Sequence, residues 1–133
     1  MAIRLIREVL QNRTLVSADP AMTVSEAARL MATEKIGALP ILKDRRLVGI
    51  FSERDAVFRV LARGLDPDKT LLAEVMTADP VTINGRRPLS HALRLMNDGH
   101  FRHVPVVEDG NLIGIVSVRD ALGLEMADSE PES

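Results

Sequence analysis

The chain has no cysteine, no tryptophan and no tyrosine, and only three of its 133 residues are phenylalanine. Without cysteine there can be no disulfide, no thiolate metal site and no cysteine nucleophile, and a reducing, cytoplasmic setting is the expected location. So few rings leave nothing to build the stacking platforms that bind single-stranded nucleic acid. Neither sign of charge is in excess. Seventeen Lys and Arg stand against 19 Asp and Glu, a formal net charge of −2, whereas a general nucleic-acid binder carries a basic surplus. No apolar run approaches the roughly 18 residues of a membrane span. Residues 1–8 carry charges inside their apolar stretch and lack a signal-peptide pattern. Nucleic acid and membrane are therefore not expected partners.

Catalytic signatures are also missing. There is no Gly-x-x-x-x-Gly-Lys-Ser/Thr phosphate loop and no Gly-x-Ser-x-Gly nucleophile elbow. The serines, histidines and aspartates do not fall into a nucleophile arrangement, so no enzymatic activity is expected. His100 and His103 have no cysteine and no clear third ligand nearby in sequence, so no metal site is expected either.

What is present is an ordinary globular composition, 46% hydrophobic and 27% charged, with an internal repeat. Shifted by 65 positions, Ser25–Val57 lies on Ser90–Leu122 without a gap, and 14 of the 33 pairs are identical. Ala27, Arg29, Leu30 and Met31 match Ala92, Arg94, Leu95 and Met96. Pro40 matches Pro105, and residues 49–56 match 114–121 at Gly, Ile, Ser, Arg, Asp and Ala. With a one-residue slip, Glu8-Val9-Leu10 falls on Glu74-Val75-Met76. The expected organisation is one repeat over residues 1–68 with a lead-in helix, a second over 69–124, and a frayed acidic tail over 125–133.

Each repeat reads alike. Short helical lead-ins are predicted at residues 4–11 and 71–76, and short β-type runs at 15–17 and 81–83, each ended by turn residues. A helix follows. Thr23-x-x-Glu26 is a capping box ahead of an apolar face of Val24, Ala27, Ala28, Leu30 and Met31. In the second repeat Pro88 is placed in the first helical turn, ahead of Leu89, Ala92, Leu93, Leu95 and Met96. Two strands joined by a tight polar turn come next, at 38–42 and 47–51, and again at 104–107 and 112–116. A closing helix starts after Ser52 and after Ser117, with Gly64 and Gly123 as stops. The order is β-α-β-β-α, twice, an α/β (α+β) fold. One such unit buries a small core, so the two are expected to pack together with pseudo-twofold symmetry. The methionines at 22, 31, 76 and 96 read as core filler.

The segments Ala38-Leu39-Pro40-Ile41 and His103-Val104-Pro105-Val106-Val107, each followed by Gly-x-x-Ser-x-x-Asp (Gly49, Ser52, Asp55; Gly114, Ser117, Asp120), resemble a tandem pair of CBS (cystathionine β-synthase) domains, a Bateman module. The likeness extends over nearly the whole chain and is similar to stand-alone prokaryotic CBS-pair proteins, with no fused domain expected. It implies a regulatory protein that binds an adenosine-containing ligand (AMP, ADP, ATP, NAD or S-adenosylmethionine) in clefts between the repeats. The ligand would be an effector, not a cofactor. The resemblance also implies a homodimer and a regulated partner protein. The alternative is a ligand-free scaffold that mediates assembly.

Ser-x-x-Asp has a plain reading as a helix cap. It also sets a hydroxyl, a guanidinium and a carboxylate around a helix start, and a carboxylate fits a vicinal diol. By resemblance, Ser52, Arg54 and Asp55 would share a cleft with Thr82, Arg102 and His103. Ser117, Arg119 and Asp120 would share one with Val16, Ile36, Gly37 and Ala38. Asp55 and Asp120 would take the ribose, and Arg102 and His103 the phosphate. Because Gly37 and Ala38 are uncharged, the Asp55 site is expected to favour phosphorylated ligands. The apolar positions Val57, Val60, Leu61, Leu122 and Met126 of the closing helices are expected to face a second copy.

Overall fold

A computed structural model describes residues 3–122; the expected tail, Gly123 and Met126 lie outside the described residues. Its short first helix, α1 (Ile6–Leu10), buries Ile6 and Leu10. The longer α2 (Val24–Glu34) is capped as its sequence requires, with the Thr23 hydroxyl accepting from the Glu26 N–H. Its buried stripe is Val24, Ala27 and Met31, whereas Ala28 turns out to face solvent. The chain leaves α2 through Lys35 in the left-handed conformation (φ 57°), whose N–H closes on the Met31 carbonyl.

Strands β1 (Ala38–Lys43) and β2 (Arg46–Ser52) pair antiparallel. Asp44 and Arg45, both at positive φ, form their two-residue turn. Two positive-φ residues match the twist of a hairpin, and the same turn recurs at Asp109 and Gly110. Ser52 ends β2 and caps a helical turn, α3 (Glu53–Asp55), which widens into a π-helix over Ala56–Leu61. Gly64 (φ 68°) donates its N–H to Leu61 as this helix ends. Next come α4 (Leu72–Val75) and a two-residue strand, β3 (Thr77–Ala78). β3 adds antiparallel to β2 to give the sheet order β1-β2-β3.

The second half repeats this plan. β4 (Ile83–Asn84) runs parallel to β5 (His103–Glu108), which pairs antiparallel with β6 (Asn111–Ser117). α5 (Leu89–Gly99) buries Leu89, Ala92 and Met96. Pro88 is its N-cap and not part of its first turn. A further helix begins at residues 118–122.

Two of the expected strands are reduced. Residues 15–17 form no strand, and only Ala18 bridges to Ile41, with its N–H on the Pro40 carbonyl and its carbonyl on the Leu42 N–H. The run at 81–83 is a strand only at Ile83–Asn84. Asp19 and Asn84 each fold their side chain onto the N–H two residues ahead, at 2.8 Å, and this turn ends the pairing on its C-terminal side in both copies.

Contacts group the chain into two compact units that exchange the lead-in helices. α1 belongs with the sheet β4-β5-β6 and packs on β6, whereas α4 belongs with β1-β2-β3 and packs on β2. The expected division at residues 68 and 69 follows the repeat in the sequence; the compact unit Leu15–Pro80 follows the packing. Each unit has its own core. One is built on Leu39, Ile41, Phe51, Val60 and Leu72, the other on Ile6, Leu89, Met96, Val104 and Val116. Val60 is fully buried there, so it is not part of an outward face. The exchange explains a pair of glycines. A Cβ on Gly114 would meet the Leu10 side chain at 3.0 Å, and one on Gly49 would run into Met76, the equivalent residue of the other lead-in.

Candidate functional site

In both units the Ser-x-x-Asp segment lies where the last strand of a hairpin becomes a helix. A helix start leaves N–H groups without intrahelical partners, so a nearby hydroxyl and carboxylate are drawn to them. The Ser52 hydroxyl oxygen accepts from the Asp55 N–H at 3.2 Å. Asp55 Oδ2 in turn accepts from the Ser52 N–H at 2.9 Å and from the Ser52 hydroxyl at 3.1 Å. In the other unit Asp120 Oδ2 accepts from the Ser117 N–H, and the Asp120 N–H donates to the Ser117 hydroxyl oxygen, both at 3.0 Å. The capping role is therefore real in each copy. It also presents the second oxygen, Oδ1, of each carboxylate outward from the cap.

The cations beside the two carboxylates differ. Asp55 Oδ1 has Arg59, four residues on, at 3.5 Å. Arg59 is meanwhile anchored on the Val75 and Met76 carbonyls at 3.3 and 3.2 Å, at the end of α4. Asp120 is held by Arg13, which donates from both terminal nitrogens, at 2.9 Å to Oδ2 and 2.8 Å to Oδ1. The backbone N–H of Arg13 caps the turn after α1 on the Leu10 carbonyl, which sets its reach. Burial alone would raise the Asp120 carboxyl. The Arg13 hydrogen bonds, the Ser117 N–H and the Arg13 charge outweigh it and hold the group below its ordinary range. The pairing raises Arg13 in turn.

The remaining sequence-predicted residues divide by unit. Val16, Ile36, Gly37, Ala38, Ser52, Arg54 and Asp55 lie in one; Thr82, Arg102, His103, Ser117, Arg119 and Asp120 lie in the other. Within the first, Gly37 accepts from the Glu53 N–H at 2.9 Å, and Ala38 pairs with Ser52, so this segment borders its own helix start. Val16 and Ile36 are half-buried against the core. Arg54 is exposed, its guanidinium stacked 5.4 Å from the Phe58 ring. Within the second, Arg102 accepts from the Val118 N–H at 2.9 Å and His103 pairs with Ser117. Arg102, Thr82 and Arg119 are exposed, and His103 is half-buried.

Sequence reasoning missed Arg13 and Arg59. The i,i+4 spacing from Asp55 was a usable signal for Arg59. Nothing local could link Arg13 to a residue 107 positions away. A shallow surface cavity of about 300 Å³ lies along α5, lined by Ile83, Arg87, His91, Arg94, Leu95 and Asp98, and takes in none of the expected site residues. Among the described residues no group of three or more His, Asp or Glu side chains is placed to hold a metal ion. No helix among them is long and apolar enough to cross a membrane.

The CBS domain family matches this chain twice, over residues 6–62 and 72–126. CBS domain-containing protein YhcV of Bacillus subtilis is 33% identical over 119 residues, which cover 90% of this chain and 84% of YhcV. CBS domain-containing protein CBSCBSPB3 of Arabidopsis thaliana is 38% identical over 101 residues, 75% of this chain but only 18% of that protein's length. Among solved structures, a protein with CBS domains from Burkholderia ambifaria MC40-6 matches with a TM-score of 0.89 at 28% identity, over 97% of this chain and 98% of that one. The CBS domain pair of MJ0100, in complex with 5′-methylthioadenosine and S-adenosyl-L-methionine, matches with a TM-score of 0.86 at 28% identity, over 96% and 100%.

Proposed function

The chain belongs to the CBS-domain family and carries two copies of the domain, and on that premise we propose that it is a non-catalytic regulatory protein that binds an adenosine-containing ligand at a Ser-x-x-Asp helix start. The observation that carries this reading is the half-buried Asp55 carboxylate. Its Oδ2 is occupied by the Ser52 cap, and its Oδ1 is met only by a 3.5 Å ion-pair contact. An oxygen in that position can accept from a ribose hydroxyl without breaking the cap. The adenosine ligands of the similar MJ0100 pair support the same ligand class. Ser52 and Arg54 would assist at Asp55; Thr82, Arg102 and His103 are proposed as ligand contacts within their own unit. Val16 and Ile36 would border a base, whereas Gly37 and Ala38, being uncharged, would give no side-chain contact to a phosphate. The nucleotide would act as an effector and not as a cofactor. Two states of differing affinity would couple its binding to a partner protein.

An outward apolar stripe favours assembly as a companion role. Val57, Phe58 and Leu61 are 50%, 61% and 65% exposed on the π-helical turn. We assign them to a homodimer contact, since twofold pairing is the commonest way to cover such a face.

The test uses a feature of the composition. With no Trp and no Tyr the protein barely absorbs at 280 nm, so bound adenine would dominate the spectrum near 260 nm. A spectrum of purified, nucleic-acid-free protein, with mass analysis of the released ligand and re-addition of AMP to stripped protein, is expected to reveal an adenosine compound. No uptake of AMP, adenosine, NAD or S-adenosylmethionine at millimolar concentration would refute the reading.

A further inference from the structure

The two carboxylates differ in the acceptor sites they have left. A carboxylate offers about four lone-pair positions. Asp120 uses at least three: two on Oδ2, for the Ser117 N–H and Arg13, and one on Oδ1, for the second arm of Arg13, and the Ser117 hydroxyl interacts with it as well. A ribose diol needs two, so it cannot bind while Arg13 is seated. Asp55 keeps Oδ1 clear of any short hydrogen bond. One of the two donors on its Oδ2 is a serine hydroxyl, which can rotate away. The cation near Asp55 is also restrained, because Arg59 Nη1 is anchored on two backbone carbonyls, which leaves only Nε facing Asp55, at 3.5 Å. Arg13 has no such anchor for its side chain, and its planar fork matches the carboxylate edge.

Resting on the ligand reading above, we propose that Arg13 is a specificity-determining residue. It occupies the diol-accepting edge of Asp120, so the protein takes one adenosine per chain, at Asp55, and keeps the Asp120 site closed. The repeat itself argues that this is particular to one half. In the register that aligns the two lead-ins, the counterpart of Arg13 is Asp79, which cannot play this part at Asp55. The depressed Asp120 carboxyl is consistent with a closed ion pair.

The probe is adenosine, which has a diol and no phosphate, titrated calorimetrically into the full chain. Wild type is expected to bind one equivalent, and Asp55→Ala to bind none with measurable heat. Arg13→Met is expected to bind a second equivalent, the new site gaining about tenfold or more, the scale of a two-bond charge-assisted contact. Asp55→Ala combined with Arg13→Met should retain one equivalent. Arg13→Lys keeps the charge and loses the fork, and should fall between wild type and Arg13→Met. NMR titration of the Asp120 carboxyl reports on the pair without any ligand, and its pKa should rise in Arg13→Met. Two equal equivalents in wild type, unchanged in Arg13→Met, would overturn the proposal and leave the ligand reading standing. The proposal is equally overturned if Arg13→Met weakens AMP at a second wild-type site, because Arg13 would then be a phosphate ligand. If no variant binds adenosine, AMP or S-adenosylmethionine, the ligand reading falls and the proposal with it.

Discussion

Alanine at the two repeat-related glycines should give opposite outcomes, although the sequence treats them alike. At Gly114 the new methyl meets only the far end of a side chain, with Leu10 Cδ1 at 3.0 Å, Cδ2 at 3.3 Å and Cγ at 3.5 Å. A leucine tip can retreat by a few tenths of an ångström. At Gly49 the methyl runs into Met76 Sδ, lies 3.0 Å from Met76 Cγ, and lies 3.0 Å from the Thr77 carbonyl oxygen. The thioether can bend away, since Met is adaptable. The carbonyl cannot, because Thr77 is in β3 and pairs with Ile50 beside Gly49. Overpacking of that kind costs about 1–3 kcal/mol. Removing a glycine returns roughly 0.4–1 kcal/mol by narrowing the unfolded ensemble, and neither glycine uses positive φ. Gly49→Ala should therefore lose up to about 2.6 kcal/mol, whereas Gly114→Ala should fall within about 0.5 kcal/mol of wild type. Absence of Trp and Tyr makes circular dichroism the suitable probe, followed through urea unfolding. Equal losses at the two positions, or a larger loss at Gly114, would refute the argument that the Thr77 backbone sets the cost.

Other expectations follow from single contacts. Thr23→Ala removes the hydroxyl that accepts the Glu26 N–H and should cost about 1 kcal/mol in urea unfolding; a loss below the noise would mean that α2 is capped by solvent. Asp55→Ala should weaken AMP by about tenfold to a hundredfold, the scale of one hydrogen bond to a charged group, and unchanged affinity in titration would remove Asp55 from the site. Because Asp120 is held low in the folded state, its contribution is complete above the unfolded pKa and is lost as pH falls through the folded one. Stability should decline on acidification across that window, and Arg13→Met should flatten this part of the profile; the effect is small because Arg13 is 48% exposed. An acid series with identical slopes for both proteins would count against the pair. Phe58→Ser with Leu61→Ser should shift sedimentation towards monomer, and no shift would place the assembly contact elsewhere.

Much of this fold was legible because its cues are local. Thr23 with Glu26 announces a helix start, and Lys43–Arg46 a tight polar turn, from residues a few positions apart; the strands claim Lys43 and Arg46 and leave a two-residue turn. The repeat added a check on the turn, which recurs 65 positions later, but not on the cap, where Pro88 and His91 replace Thr23 and Glu26. What escaped depends on distant partners. Nothing in Glu8-Val9-Leu10 says which sheet it will cover, because a short apolar helix fits any groove of suitable size. It packs on β6, with Leu10 over Gly114 as Met76 lies over Gly49. The two-residue β3 is too short to carry an alternating pattern. The strand expected at 15–17 is reduced to a single bridge from Ala18 to Ile41, just ahead of the turn at Asp19. Val60 was assigned outward from the helical spacing of Val57 and Leu61, but the π-helical widening changes the angular step per residue, and Val60 faces inward.

The residues that the two halves share, and those they do not, divide by the size of the force each serves. Ser52 and Ser117 cap helices, and losing a cap costs about 1 kcal/mol. Gly49 and Gly114 admit the lead-in side chains, and filling such space can cost more. The caps serve the fold in both copies, and the glycine matters most at Gly49, where the Thr77 backbone cannot give way. Arg59 and Arg13 touch the same two carboxylates, yet position 124 is leucine where the first repeat has Arg59, and position 79 is aspartate where the lead-in register has Arg13. A solvent-exposed ion pair contributes about 0–1 kcal/mol, so the fold neither requires these arginines nor resists their change. The carboxylate is held in place by its cap in both halves, while its cation is free to differ. The two halves can thus diverge in what they bind without disturbing either core, and divergence at the site needs only one long side chain from outside the repeat's shared pattern.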